Sequence, residues 1–202
     1  MPVSAKVDNS ALPLKVGVRR WILERTEEPA VLDLYCGKVG KMYQLVWREA
    51  GTYLGTDKNE PHGLGPAIKL SAERAVSTLP LDRWNIYDID PYDSPWAIAR
   101  KIIHRRGPGL FGLVLTSGEG RGLRNGDSNE IIRRTIGASS LSNLTLLGRW
   151  QYDVMGLMIR SLLEMEGMAF SGGVQAHTGG PNPMYYFGLL LHKTCQTGKD
   201  ML

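Results

Sequence analysis

A chain of 202 residues, 43% hydrophobic and 22% charged, is long enough for one α/β unit with a substantial core. No apolar run reaches the ~18 residues of a membrane helix. With only Cys36 and Cys195, and no Cys/His spacing suited to zinc, a disulfide or zinc framework is not expected either. The net charge of +4 fits a polyanionic partner without requiring one. Residues 1–15 lack the long apolar segment of a signal peptide, so the expected setting is cytoplasmic, with no membrane partner.

Taken in chain order, the pattern predicts a helix over 15–28, with Val16, Val18, Trp21, Ile22 and Leu23 as apolar contacts. Residues 31–34 read as a strand covered on both faces, as in a parallel sheet. That strand runs into a turn containing Gly37 and Gly40, where a backbone without Cβ atoms can fold tightly and approach a ligand. A crossover helix is expected over 41–49, its first turn aimed at whatever the glycine turn holds. A short apolar strand over 52–57 ends in Asp57, and a third is expected over 67–70. A fourth, over 85–90, stops at Pro91, which cannot extend a central ladder. Next come a helix over 94–106, with Pro95 tolerated in its first turn, and a strand over 110–116. Residues 116–149 are the least regular, with one helix around 129–136. The rest of that stretch reads equally as a substrate-facing loop or a surface connection. An amphipathic helix over 153–167 uses Val154, Leu157, Met158, Leu162 and Met165, with Gly167 as its C-cap. Strands over 168–177 and 184–192 then pair across the connection 178–183. No repeat or dividing linker interrupts this order, so one domain over 1–202 is expected, its core spanning about 30–192.

The alternation of strands and helices predicts an α/β fold. Within it, three segments carry chemistry. The first is Asp33-Leu34-Tyr35-Cys36-Gly37-Lys38-Val39-Gly40. A buried strand ending in a glycine turn binds a nucleoside-containing cofactor at the strand's carboxyl end. The dinucleotide fingerprint lacks its glycines here, since Tyr35 and Val39 stand where they would sit. The segment resembles the first motif of class I S-adenosylmethionine-dependent methyltransferases, and its spelling is similar to that of nucleic-acid methyltransferases, including DNA cytosine methyltransferases. Val39 departs from the family's usual glycine. The resemblance implies a Rossmann-like sheet, mostly parallel, with an antiparallel C-terminal strand pair. It also implies that Asp33, Tyr35, Gly37, Val39 and Gly40 lie at the site of the cofactor S-adenosyl-L-methionine. An ordinary buried strand and turn is the alternative reading.

The second segment ends in Asp57-Lys58. Asp57 follows Asp33 by 24 residues, near the ~20-residue spacing of a ribose-binding acid on a second strand. A carboxylate there can accept hydrogen bonds from both ribose hydroxyls; a solvated turn aspartate is the plainer reading. By resemblance Asp57 and Lys58 belong to the cofactor site, and Ser71, or failing it Glu73, meets the adenine after the third strand.

The third segment is Asp88-Ile89-Asp90-Pro91-Tyr92-Asp93-Ser94-Pro95. An acid–proline–aromatic cluster at a strand's carboxyl end resembles the fourth motif of amino-methylating nucleic-acid enzymes, the tRNA guanosine dimethyltransferases above all. Asp93 stands where their motif has glycine. An exocyclic amine is a poor nucleophile, and Asp90 with the Pro91 carbonyl can accept its N–H bonds and align its lone pair. Tyr92 can stack on the base. A proline turn with capping acids is the bland alternative. No cysteine follows a proline at this place, which disfavours a covalent cytosine-carbon mechanism.

Two basic clusters follow: Arg100, Lys101, His104, Arg105 and Arg106, then Arg121, Arg124, Arg133, Arg134 and Arg149. They read equally as phosphate contacts near the cleft or as solvated surface. His177 reads as a structural or solvated loop histidine. The expected function is methyl transfer to an exocyclic amine of a nucleic-acid base, RNA ahead of DNA, with a helper subunit as an option for substrate recognition. The alternatives are a small-molecule or protein methyltransferase of the same fold, and a non-catalytic nucleic-acid-binding module on a degenerate one.

Overall fold

The computed structural model describes residues 11–38, 40–63, 65–91, 94–119, 130–135, 137, 149–165, 167–179 and 183–194. The strands are β1 (Ala30–Asp33), β2 (Thr52–Asp57), β3 (Ala67–Lys69), β4 (Ile86–Ile89), β5 (Gly109–Ser117), β6 (Met168–His177) and β7 (Tyr185–Lys193). They form one seven-stranded sheet in the order β3-β2-β1-β4-β5-β7-β6. The first five in chain order pair in parallel. β7 runs antiparallel to both β5 and β6, as the closing strand pair required.

Helices α1 (Leu12–Leu23), α2 (Lys41–Leu45), α3 (Ala72–Thr78), α4 (Trp96–Arg105), α5 (Glu130–Thr135) and α6 (Arg149–Leu163) complete the described elements. Side chains alternate across a strand, so the inner strands feed two cores. Leu32, Leu34, Tyr87, Ile89, Leu113 and Leu115 pack with residues of α3, α4 and α6. Val31, Ile86, Val114 and Tyr186 pack on the opposite side, with Val18 and Ile22 of α1 and with Trp47. Helix α1 approaches the sheet closely because glycines lie beneath it. A Cβ on Gly112 would come 3.0 Å from Ile22 Cδ1, and one on Gly188 would come 3.2 Å from Val18 Cγ1. Among the described residues, no helix is long and apolar enough to cross a membrane.

The helix expected over 15–28 is shifted to Leu12–Leu23, with Pro13 in its first turn. Glu28, before Pro29, takes a φ of 45°, in the left-handed region that few residues other than glycine adopt. Asn85 pins that connection, donating to the carbonyls of Glu27 and Glu28 and accepting from the Ala30 N–H. The crossover helix is shorter than the expected 41–49. It breaks at Val46, and a 3₁₀ turn over Trp47–Glu49 drops the Trp47 ring into the core. The last long helix begins at Arg149 and ends at Leu163, four residues earlier at each end than expected. Helix α3 had no expected counterpart.

Candidate active site at the carboxyl ends of the strands

The glycine turn and the acid of β2 meet. Gly37 has a φ of 68° and Gly40 a φ of 57°, both in the left-handed region open to glycine. The Gly37 N–H donates to Asp57 Oδ2 at 3.2 Å, while Asn59 donates its backbone and side-chain N–H groups to Oδ1. Because β1 and β2 are parallel neighbours in register, Ala30 opposite Thr52, their carboxyl ends fall side by side. A Cβ added to Gly37 would meet nothing within 4 Å, so the turn is open above that residue. An open glycine turn beside a carboxylate suits a ribose diol.

Asp33 does not face this opening. It is 2% exposed, and its parity on β1 sends it to the α1 side of the sheet. Its Oδ1 accepts from the Tyr35 N–H and its Oδ2 from the Tyr53 hydroxyl at 3.1 Å. Opposite it on β4 is Asp88, fully buried. Two adjacent buried carboxylates need compensation. It comes from α1: Arg19, fully buried, donates Nε to Asp88 Oδ2 and Nη2 to Asp88 Oδ1, each at 2.7 Å. Trp47 Nε1 adds a third bond to Asp88 at 2.8 Å. With Arg19 committed to Asp88, burial and the Asp88 charge push the Asp33 carboxyl well above its ordinary value. Burial, with Asp33 and Asp57 nearby, pushes the Cys36 thiol up to about 12, so it is not a thiolate nucleophile.

Asp90, one residue beyond β4, closes the network. Lys15 Nζ donates to its Oδ1 at 3.0 Å and its Oδ2 at 2.7 Å, and Arg19 Nη2 reaches Oδ2 at 3.2 Å. Burial works against the charged form, but the two cations outweigh it and hold the carboxyl below its usual range.

No protein-family model matches the chain, and no curated protein matches its sequence. Solved structures do match in shape. M. jannaschii TYW2 in complex with AdoMet superposes with a TM-score of 0.56 at 9% identity, covering 89% of this chain and 76% of that one. A SAM-dependent methyltransferase from Archaeoglobus fulgidus gives 0.52 at 14% identity, with 89% and 94% covered. A putative hemolysin from Streptococcus thermophilus gives 0.57 at 12% identity, with 96% and 70% covered. The chain has the class I methyltransferase fold. At these identities the likeness is one of fold alone.

In a class I methyltransferase fold the carboxyl ends of β1, β2 and β4 form one rim. The structure brings Gly37, Gly40 and Asp57 together on that rim, with Asp90 and the buried Pro91 beyond β4. Tyr35 is half-buried beside the turn, and Lys58 is exposed next to Asp57. Ser71 caps α3, its Oγ accepting from the Arg74 N–H at 3.3 Å. Val39, Tyr92, Asp93, Arg121 and Arg124 lie outside the described residues.

The first basic run divides. Arg106 is a buried plug, stacked on Phe111 and donating to the carbonyls of residues 107–110. Arg100 reaches Ser161, while Lys101, His104 and Arg105 are exposed. Helix α4 carries the chain back from the carboxyl end of β4 to the amino end of β5. Its last residues, His104 and Arg105, therefore sit at the end of the sheet away from Asp90. A groove of about 780 Å³ lined by Glu27, Glu28, Thr52, Asp82 and Trp84 opens at that far end too.

Sequence reasoning missed Lys15, Arg19, Trp47 and Tyr53 as partners of the acids. The available signal was the pair of cations at 15 and 19, one helical turn apart on an otherwise apolar helix face. Helix α3 was signalled by Ser71 followed by Ala72, Ala75 and Val76 at helical spacing.

Proposed function

We propose that the protein is an S-adenosylmethionine-dependent methyltransferase acting on an exocyclic amine of an RNA or DNA base. The observation that carries the cofactor assignment is the Gly37–Asp57 contact at the carboxyl ends of two adjacent parallel strands. Asp57 holds the ribose diol, the turn from Gly37 to Gly40 accommodates the rest of the nucleoside, and Ser71 and Lys58 line its edge. Asp33 supports the turn through the Tyr35 N–H rather than touching the cofactor. Bound there, S-adenosylmethionine supplies a methyl group on a sulfonium, a leaving group that needs no further activation. Asp90 and the Pro91 carbonyl accept the amine's N–H bonds and turn its lone pair toward the methyl group. Tyr92 stacks on the base.

The test is calorimetric titration with S-adenosylmethionine and S-adenosylhomocysteine. Micromolar binding is expected, weakened about tenfold in Asp57→Ala, because the charge-assisted hydrogen bond to the ribose is lost together with the Gly37 N–H contact. A folded wild type that binds neither compound would sink the enzyme reading and leave a non-catalytic module on this fold.

A second reading has an observation of its own. The exposed cations of α4 lie away from the rim, as a small-molecule or protein methyltransferase would allow. Salt separates the two readings: nucleic-acid binding falls steeply between 50 and 200 mM salt, roughly in proportion to the phosphates contacted.

A further inference from the structure

We propose that Lys15 and Arg19 of α1 are positioning residues, holding the Asp90 carboxylate as a fixed hydrogen-bond acceptor for the methyl-accepting amine; the inference rests on the methyltransferase reading. Arg19 has an evident structural duty, since without it Asp88 would be buried and unpaired. Lys15 has none of that kind. Its side chain is 27% exposed and its partner's is 15% exposed, so water is available to both. A rim pair of this type adds little to stability. Yet Lys15 engages both oxygens of Asp90, from a helix 75 residues away in sequence.

The lone pairs show what this arrangement leaves. Among the described residues, Asp90 Oδ2 accepts from Lys15 and Arg19, which fills it, while Oδ1 accepts from Lys15. A carboxylate oxygen has two acceptor positions, so Oδ1 keeps one for an incoming N–H. The charged groups around Asp90 are Lys15 and Arg19 on α1, Asp88 on the same strand, and Asp33 on β1 behind Arg19. β5 brings the Thr116 hydroxyl toward Asp90, where it favours the charged carboxylate without completing a hydrogen bond to it. Held ionised between two cations, Asp90 orients a proton but is a poor base for removing one. This suits an acceptor that brings its own lone pair. The amine nitrogen forms the bond to the methyl carbon, the C–S electron pair returns to sulfur, and the surplus N–H proton leaves to water. A hydroxyl acceptor, which needs a base, is disfavoured.

The experiment uses the full chain as wild type, Lys15→Met and Lys15→Arg. Asp90 is followed by carbonyl NMR titration, and S-adenosylhomocysteine affinity by calorimetry. Activity is read by radiolabelled methyl transfer to pooled tRNA, rRNA and DNA. In Lys15→Met the Asp90 titration is expected to move to higher pH, and the acid limb of kcat should move with it. kcat should fall roughly tenfold or more through lost alignment. Cofactor-product affinity stays within about twofold, because the Gly37–Asp57 site is untouched. Lys15→Arg should restore most of kcat and the titration. An unmoved Asp90 titration, or an unchanged kcat in Lys15→Met, overturns the positioning role while leaving the methyltransferase reading intact. Failure of wild type to bind S-adenosylhomocysteine overturns both.

Discussion

At the scale of residues, the site is governed by where carboxylates point. Asp33, Asp88 and Asp90 share the α1 side of the sheet because they occupy alternate positions on adjacent strands. Arg19 is the group that makes this tolerable, bridging Asp88 and Asp90 from a fully buried position. Arg19→Met would leave the Asp88 charge buried without a partner. That change is expected to destabilise the fold by about 3 to 5 kcal/mol, the cost of breaking a buried pair from one side. Urea unfolding of the variant checks it; a loss below about 1 kcal/mol would mean the network relaxes or takes up water. Asp57→Ala, by contrast, removes a rim group and should alter cofactor binding far more than stability.

At the scale of elements, α1 is as much part of the site as the glycine turn. It delivers Lys15 and Arg19 one turn apart, and its height above the sheet is set by Gly112 and Gly188. Gly188 lies under Val18 and beside Val174, whose Cγ1 would be 3.1 Å from an added Cβ. Gly188→Ala is therefore expected to overpack this contact, lifting α1 and costing about 1 to 3 kcal/mol. Weakened Lys15–Asp90 contact should accompany the loss, visible as a raised Asp90 titration. A Gly188→Ala protein as stable as wild type, with Asp90 unchanged, would show that α1 has slack against β7. Element types were readable in advance because strands buried on both faces and an amphipathic C-terminal helix leave strong periodic patterns. Boundaries were not, and the reasons are local: Val46 breaks the crossover helix so that Trp47 can enter the core, and Pro29 ends the α1 connection.

For the whole molecule, the acid network makes stability depend on pH in two opposed ways. Asp90 has a lowered folded value, so its contribution is present above its unfolded value of about 3.9 and fades as pH falls through the folded one. Asp33 has a raised folded value, so the native state holds an extra proton above about pH 3.9, and stability falls as pH rises toward the folded value. Stability should accordingly peak in mildly acidic solution. Urea unfolding across a pH series tests this: wild type should weaken on the neutral side of the peak, and Asp33→Asn should flatten that decline. An identical slope in Asp33→Asn would show that Asp33 is ionised in the folded state.

What the sequence determined by itself was local. The run Val31 to Gly40, the acid ending β2, the acid–proline after β4 and the final antiparallel pair were all visible, because strand ends, glycine turns and prolines act through neighbours in the chain. What only the tertiary structure decided were the partners of the acids. Asp33, expected at the cofactor site, is turned under α1 onto Tyr53, and Asp90, expected as an acceptor, is held by Lys15 and Arg19. Those outcomes depend on the register of β1 against β2 and β4 and on the packing of α1 over Gly112 and Gly188. Contacts between residues 69 to 75 positions apart have no signature in local pattern, since they exist only once the sheet has brought the two segments together.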